Sequence, residues 1–504
     1  MAQDWILAGD IGTSSVKTAL FQMDGTLVDS ATHAHATRHA HPGWADQDAG
    51  AWWRGFCLSV RELVSRHPEA RQRIAVIGVS GQMLGCLAVN ARGEPLHPHL
   101  IHSDTRSAAQ AAHIARTIGA QALYLRTGNI LDARAGIAKL LWLKENAPDA
   151  YRGADRFVQA KDFIVGRLTG HMDSSDWSDG GHALFMDVNT RTYMTDLYAE
   201  LGLDAARMPT LHNGTDVVGS VCAEAAKALD LPAGIPVVAG AGDGPCAGVG
   251  AGSSLAGDAY ACMGTTAWIS YTAERPVFDP GARLFTMISP DGRTCGVYGT
   301  TQSAGRSVTW AMDLLGEHDV RAYDAKAARI PAGSGGLLFL PYLDGERTPV
   351  YDTEARGIFF GLSAAHGPDH FRRAVLEGVA LALRDIVTVF RESVPLDVMR
   401  VIGGGAGSEL WRGIIASACG LSVQRLRTPA SDATSLGAAL TAAVGVGMHA
   451  DLAAAQHTMS LLDTREPVAA DAAVYDRMYP LYTALYAANR PLFAQLAAMR
   501  DNPS

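Results

Sequence analysis

A strand that ends in aspartate and turns through Gly-Thr-Ser can hold an anion. In Asp10-Ile11-Gly12-Thr13-Ser14, backbone N–H groups and hydroxyls can meet a phosphate, and the carboxylate beside them can take a divalent cation. Most such turns are only turns, their aspartate bonding its own backbone. Here the device returns. Met263-Gly264-Thr265-Thr266 stands between two stretches that read as strands, and the two Gly-Thr pairs lie 252 positions apart in a chain of 504. Two such hairpins could grip a polyphosphate from both sides. A P-loop is absent, because Val16-Lys17-Thr18 lacks the glycine before its lysine.

A third candidate is the run from Val237 to Gly250, an apolar strand that delivers Asp243 to the mouth of a helix built of small residues. Asp243 reads either as a general base against a hydroxyl or as an N-cap. The small residues require close backbone packing, against a ligand or against another helix. Gly403-Gly404-Gly405-Ala406-Gly407-Ser408 follows a strand and opens a helix, as a dinucleotide turn does. Ser408 replaces the third glycine, and Gln424 and Arg425 stand where an acidic residue belongs, so an NADP-dependent dehydrogenase would leave both Gly-Thr hairpins unexplained. His33, His35, His39 and His41 alternate along an extended segment, a spacing that does not converge on a tetrahedral metal.

The elements that must position these residues read as alternating strands and helices. Residues 5–9, 16–21 and 26–28 form a meander, residues 52–65 a helix and residues 74–79 a buried strand, which predicts an α/β layered fold. A glycine-rich stretch over 248–257 reads as a boundary. The tail from about 466, with Tyr475, Tyr479, Leu481, Leu485, Leu492 and Leu496 at helical spacing, reads as a docked helix. Forty-two basic against 51 acidic residues argue against nucleic-acid binding. Seven scattered cysteines without a C-x-x-C pair suggest a reducing compartment. Neither a leader nor a run of 18 apolar residues occurs, so a soluble cytoplasmic protein with no membrane partner is expected.

Together with Gly43-Trp-Ala-Asp-Gln-Asp48 and Gly81-Gln82-Met83, these motifs closely resemble the FGGY family of carbohydrate kinases over nearly the whole chain. Gly357-Ile-Phe-Phe-Gly-Leu362, His370-Phe371 and Ala374-Val-Leu-Glu377 resemble the family's second signature at every defined position, while the first, around Lys139-Leu-Leu-Trp-Leu143, departs at Arg134 and Gly136. The resemblance implies an actin-like ATPase fold: two duplicated ribonuclease-H-like domains around a central cleft. The N-terminal domain (1–250) would bind sugar, the C-terminal domain (251–455) ATP, and a helical tail (466–504) would dock on the body.

The resemblance also assigns roles. Asp10 would organise Mg²⁺. Gly12, Thr13, Ser14, Gly264, Thr265 and Thr266 would hold phosphates, with Gly404, Gly405 and Ser408 near adenosine. Asp243 would deprotonate the sugar, and Gln82, Met83, Leu84, Asp104, Arg106 and Gly244 would line its pocket. The expected partners are ATP and a small sugar, with a homodimer as the candidate assembly. Members acting on xylulose usually carry His after Gln-Met and Asn after the catalytic Asp. Here Leu84 and Gly244 stand instead, which bears on which ketose, polyol or aldonate fits.

Overall fold

The computed structural model describes residues 3–427 and 432–501, so the outermost residues of the expected first and last segments, and 428–431 of the second, lie outside it. Two bodies form among the described residues: one of residues 3–256, 272–297 and 432–459, the other of 257–271, 298–427 and 460–501. The division is therefore not made at one point in sequence. Segments 272–297 and 432–455, which the sequence reading assigns to the second domain, belong to the first body.

The first body is built on a sheet in the order Val217–Ser220, Pro236–Val238, Ile74–Gly81, Trp5–Ile11, Ser15–Gln22, Leu27–Ala34, with Ala241–Gly242 also paired to Ile74–Gly81. Strand Trp5–Ile11 runs antiparallel to Ser15–Gln22 and parallel to Ile74–Gly81. Its two faces enter different cores, as the period of two in a strand requires. Trp5, Leu7 and Ile11 pack with Trp52, Phe56, Val60 and Leu63 of helix Ala49–Arg66, whose first turn is capped by Asp48 accepting from Gly50 N at 2.9 Å. Ile6 and Ala8 pack with Leu436, Ala439 and Leu440 of helix Ala433–Gly445. That helix joins the first body because its residues are small. A methyl group on Gly78 would lie 2.4 Å from the Ala438 carbonyl oxygen, so strand and helix meet backbone to backbone.

In the second body, Ala259–Met263 is antiparallel to Ala267–Ala273 and parallel to Val398–Ile402, the same connectivity as at the first hairpin. The expected tail is helix Ala469–Asp501. Tyr475, Tyr482, Leu485 and Phe493 are buried on its docked side, whereas Leu481, Leu492 and Leu496 are exposed. Tyrosine hydroxyls add polar anchors to this apolar contact. Tyr475 donates to Glu377 at 2.9 Å, Tyr479 to Asp385 at 2.7 Å and Tyr486 to Asp352 at 2.9 Å. Glu377, the last residue of the second signature, also accepts from Ser334 Oγ at 2.7 Å and Arg373 Nε at 2.7 Å. In this structure it is a structural pin. No described helix is long and apolar enough to cross a membrane, and Cys57, Cys86, Cys222, Cys246, Cys295 and Cys419 are free thiols.

Candidate active site

Asp10 sits one residue before the end of the central strand, opposite Lys17 on the neighbouring strand. Burial pushes its carboxyl up to about 6, opposed by the Lys17 charge, and Lys17 itself is paired with Asp432. Asp10 Oδ1 has no hydrogen-bond partner among the described residues. The following turn closes through Gly12 N donating to Ser15 O at 3.0 Å. His35 supports that turn twice: its backbone N–H donates to Ser14 O at 3.0 Å, and its Nε2 lies 3.1 Å from Gly12 O. Burial lowers the His35 pKa, so the neutral ring donates from Nε2. The other histidines of that run go elsewhere, His33 to Glu62 at 3.2 Å and His39 to the Trp44 carbonyl at 3.0 Å.

Gln82 follows strand Ile74–Gly81, its backbone N–H donating to Ile11 O at 2.9 Å, which ties the loop to the end of the strand that carries Asp10. Gln82 Nε2 donates to Gln47 Oε1 at 2.8 Å, and Gln47 in turn donates to Thr13 O at 2.7 Å. Gln82 Oε1 is buried and unpartnered among the described residues, an unmet acceptor of the kind a ligand hydroxyl would satisfy. Met83 is buried beneath Gly242, where a methyl would lie 2.2 Å from its Sδ. Leu84 takes a left-handed φ of 62°, held by buried Lys139 donating to Leu84 O at 2.7 Å and Ile101 O at 2.8 Å.

Asp243 opens helix Asp243–Gly250 directly after Ala241–Gly242. It is half-buried. Burial first, then the Asp10 charge, raises its carboxyl to about 7, while Gly244 N donating to Oδ1 at 2.7 Å works in the opposite direction. The sequence left two partners open for the small-residue helix, and the structure selects the helix. A methyl on Gly250 would stand 1.8 Å from the Ala433 carbonyl oxygen.

Asp104 and Arg106 are brought together, but to one another. Arg106 Nε donates to Asp104 Oδ2 at 2.8 Å and Nη2 to Asp46 Oδ2 at 2.8 Å, with its guanidinium 3.8 Å from the Trp44 ring centroid. Asp104 Oδ2 also accepts from Ala45 N at 2.6 Å. This buried network braces the segment carrying Trp44 and Gln47.

In the second body, the Gly264-Thr265-Thr266 turn backs onto the start of helix Gly305–Leu314. Gly305 N donates to Gly264 O at 2.9 Å and Ala304 N to Thr265 O at 3.0 Å. Gly403 has a φ of 84°, Gly404 and Gly405 continue into a single 3₁₀ turn, and Ser408 caps helix Glu409–Cys419 by accepting from Trp411 N at 3.0 Å. Ser408 Oγ also donates to Asp324 Oδ2 at 2.6 Å. In the first body, Gln47, Lys139 and His35 hold the Gly12–Ser14 turn and the Gln82–Leu84 loop without having been assigned roles. Gln47 and Lys139 stand in the motifs of the resemblance and His35 in the histidine run, but none of these says what the side chain supports.

Known proteins match along the whole length. The model for the FGGY family of carbohydrate kinases, N-terminal domain, matches residues 5–250, and that for the C-terminal domain matches 259–446. Xylulose kinase of Escherichia coli (strain K12) is 31% identical over 486 residues, 96% of this chain and 99% of that one. Among solved structures, xylulose kinase from Rhodospirillum rubrum superposes with a TM-score of 0.88 at 31% identity, over 97% of this chain and 100% of that one. Gluconate kinase from Lactobacillus acidophilus superposes with a TM-score of 0.91 at 25% identity, over 98% and 99%.

Proposed function

The chain belongs to the FGGY family of carbohydrate kinases and is an ATP-dependent sugar kinase, and from that premise we propose that it phosphorylates D-xylulose to D-xylulose 5-phosphate with Asp243 as the base. The observation that carries the reading is the half-buried Asp243 carboxyl, raised to about 7 by desolvation and the Asp10 charge, where a general base works near neutral pH. A sugar hydroxyl gives its proton to Asp243, its oxygen bonds to the γ-phosphorus, and ADP leaves with the electron pair of the broken P–O bond. Positioning and charge stabilisation supply most of the acceleration in such transfers.

Gly12, Thr13, Ser14 and Gly264, Thr265, Thr266 hold phosphate oxygens, and Gly404, Gly405 and Ser408 lie toward the adenosine. Asp10, with an unpartnered buried oxygen, is the residue that would hold Mg²⁺, and the metal supplies charge neutralisation on the phosphates when bound. Gln82, Met83, Leu84 and Gly244 line the sugar side. Asp104 and Arg106, which satisfy one another, act there as a brace. The free thiols of Cys57, Cys86, Cys222, Cys246, Cys295 and Cys419 suit a reducing cytoplasm.

The nonpolar Leu84 and the bare Gly244 favour one second reading, that another ketose, a polyol or an aldonate such as D-gluconate is the acceptor. ADP release with Mg-ATP across D-xylulose, D-ribulose, D-gluconate and glycerol decides between them. The first reading expects D-xylulose to lead in kcat/KM by at least about tenfold, the margin that one well-made polar contact gives. A lead by D-gluconate moves the assignment to an aldonate.

A further inference from the structure

Behind the base lies a buried cluster that the phosphoryl-transfer chemistry does not use. Lys161 Nζ stands 2.5 Å from Asp162, 2.8 Å from Asp176 and 3.2 Å from Asp179, with all four side chains 0–1% exposed. One ammonium shared among three carboxylates is costly to bury unless each is held by further bonds. Two of the carboxylates are so held, and both sit at the start of a helix.

Asp162 accepts from Gln159 N at 2.9 Å at the head of helix Ala160–Thr169. Asp176 accepts from Ser178 N at 2.8 Å and from Ser178 Oγ at 2.5 Å at the head of helix Trp177–His182. The lysine therefore rivets two helix starts together. Each start then reaches one part of the sugar site. The Gln159 amide grips the backbone of Gly85 from both sides, Oε1 accepting from Gly85 N at 3.0 Å and Nε2 donating to Gly85 O at 3.0 Å, directly after Gln82-Met83-Leu84. Ser178 Oγ accepts from Gly242 N at 3.0 Å, the peptide that precedes Asp243. Strand Ala241–Gly242 pairs only along Ser80–Gly81, so without Ser178 the buried Gly242 N–H loses the acceptor it has here.

We propose that the Lys161 cluster fixes the Asp243 carboxylate relative to the sugar-side loop, with Ser178 and Gln159 as its two positioning residues. The inference rests on the assignment of Asp243 as base and adds how its placement is set. Neither residue touches the reacting atoms. Ser178 acts through the Gly242 peptide, and Gln159 through Gly85.

The two arms predict different kinetics. Ser178→Ala is expected to lower kcat by about 10–100-fold with the KM for ATP unchanged, since a displaced base is felt in the chemical step. It is also expected to move the acid limb of kcat/KM about half a pH unit lower, because a loosened Asp243 is less desolvated. Gln159→Ala should instead raise the KM for the sugar. Ser178→Thr, which keeps the hydroxyl, should recover most of the kcat. Ser178→Cys stands in should the alanine variant not fold, and the same signature is expected of it. A kcat and an acid limb both equal to the parent's in the Ala or Cys variant would overturn the proposal, as would a threonine variant no better than alanine. Asp243→Ala is run beside them. Turnover retained in that variant refutes the base itself, whereas an inactive Asp243→Ala next to an unaffected Ser178→Ala refutes only the positioning.

Discussion

A methyl group on Gly437 would lie 1.8 Å from the carbonyl oxygen of Cys246, so helix Ala433–Gly445 rests backbone to backbone against the helix that Asp243 opens. The contact is reciprocal, since a methyl group on Gly250 would stand the same 1.8 Å from the Ala433 carbonyl oxygen. Neither carbonyl can turn away as a flexible side chain would. Asp243 is thus seated on a segment nearly two hundred residues further along the chain.

Gly437→Ala should therefore destabilise the protein by about 1–3 kcal/mol, the usual cost of overpacking, and reduce kcat by displacing Asp243. A denaturant midpoint and a kcat both equal to the parent's would contradict the close approach.

Asp243 also carries a pH signature. Its folded pKa of about 7 lies above the ordinary 3.8, so the folded chain holds this proton more tightly than the unfolded one. Its favourable contribution is present below about 4 and is lost as pH rises through about 7. Asp243→Asn removes that loss, while Asp10, raised to about 6, still contributes its own. The fall in Tm between pH 5 and pH 8 should be smaller in the variant, by on the order of 2–4 °C for each kcal/mol recovered. An equal fall in both proteins would show that Asp243 titrates normally.

Leu84 and Gly244 bear on acceptor choice. Leu84→His combined with Gly244→Asn returns two hydrogen-bonding side chains to the sugar loop, and histidine tolerates the left-handed φ of 62° at position 84 better than leucine does. The double variant should improve kcat/KM for D-xylulose relative to D-gluconate by about tenfold, measured with both acceptors under the same ATP concentration. A ratio that does not move would place the selectivity at other residues.

Much of the site was legible because it is local. The turn after Asp10, the strand that delivers Asp243 and the matching Gly264-Thr265 turn are each written in consecutive residues, and their repetition separated them from ordinary turns. The supports were not legible, because they are made between distant segments. No local pattern says that Ser178 meets Gly242 across 64 positions or that residues 433–445 complete the first body's core. The C-terminal helix shows the same limit. Tyrosines and leucines at helical spacing predict a docked helix, and Tyr475 and Leu485 are buried, yet the spacing does not say that carboxylates, Glu377 and Asp385, hold the tyrosine hydroxyls. The resemblance turns Asp104 and Arg106 toward the sugar, whereas in the structure each is paired with the other.

The most direct test of the account measures Asp243→Ala for ATP-dependent formation of D-xylulose 5-phosphate and, on the same preparation, for ATP affinity by titration calorimetry. The account predicts a loss of turnover of at least about 10²–10⁴-fold, the contribution of a general base, with ATP affinity within about twofold of the parent's. Sugar phosphate formed at the parent's rate by a variant that lacks this carboxylate would contradict it.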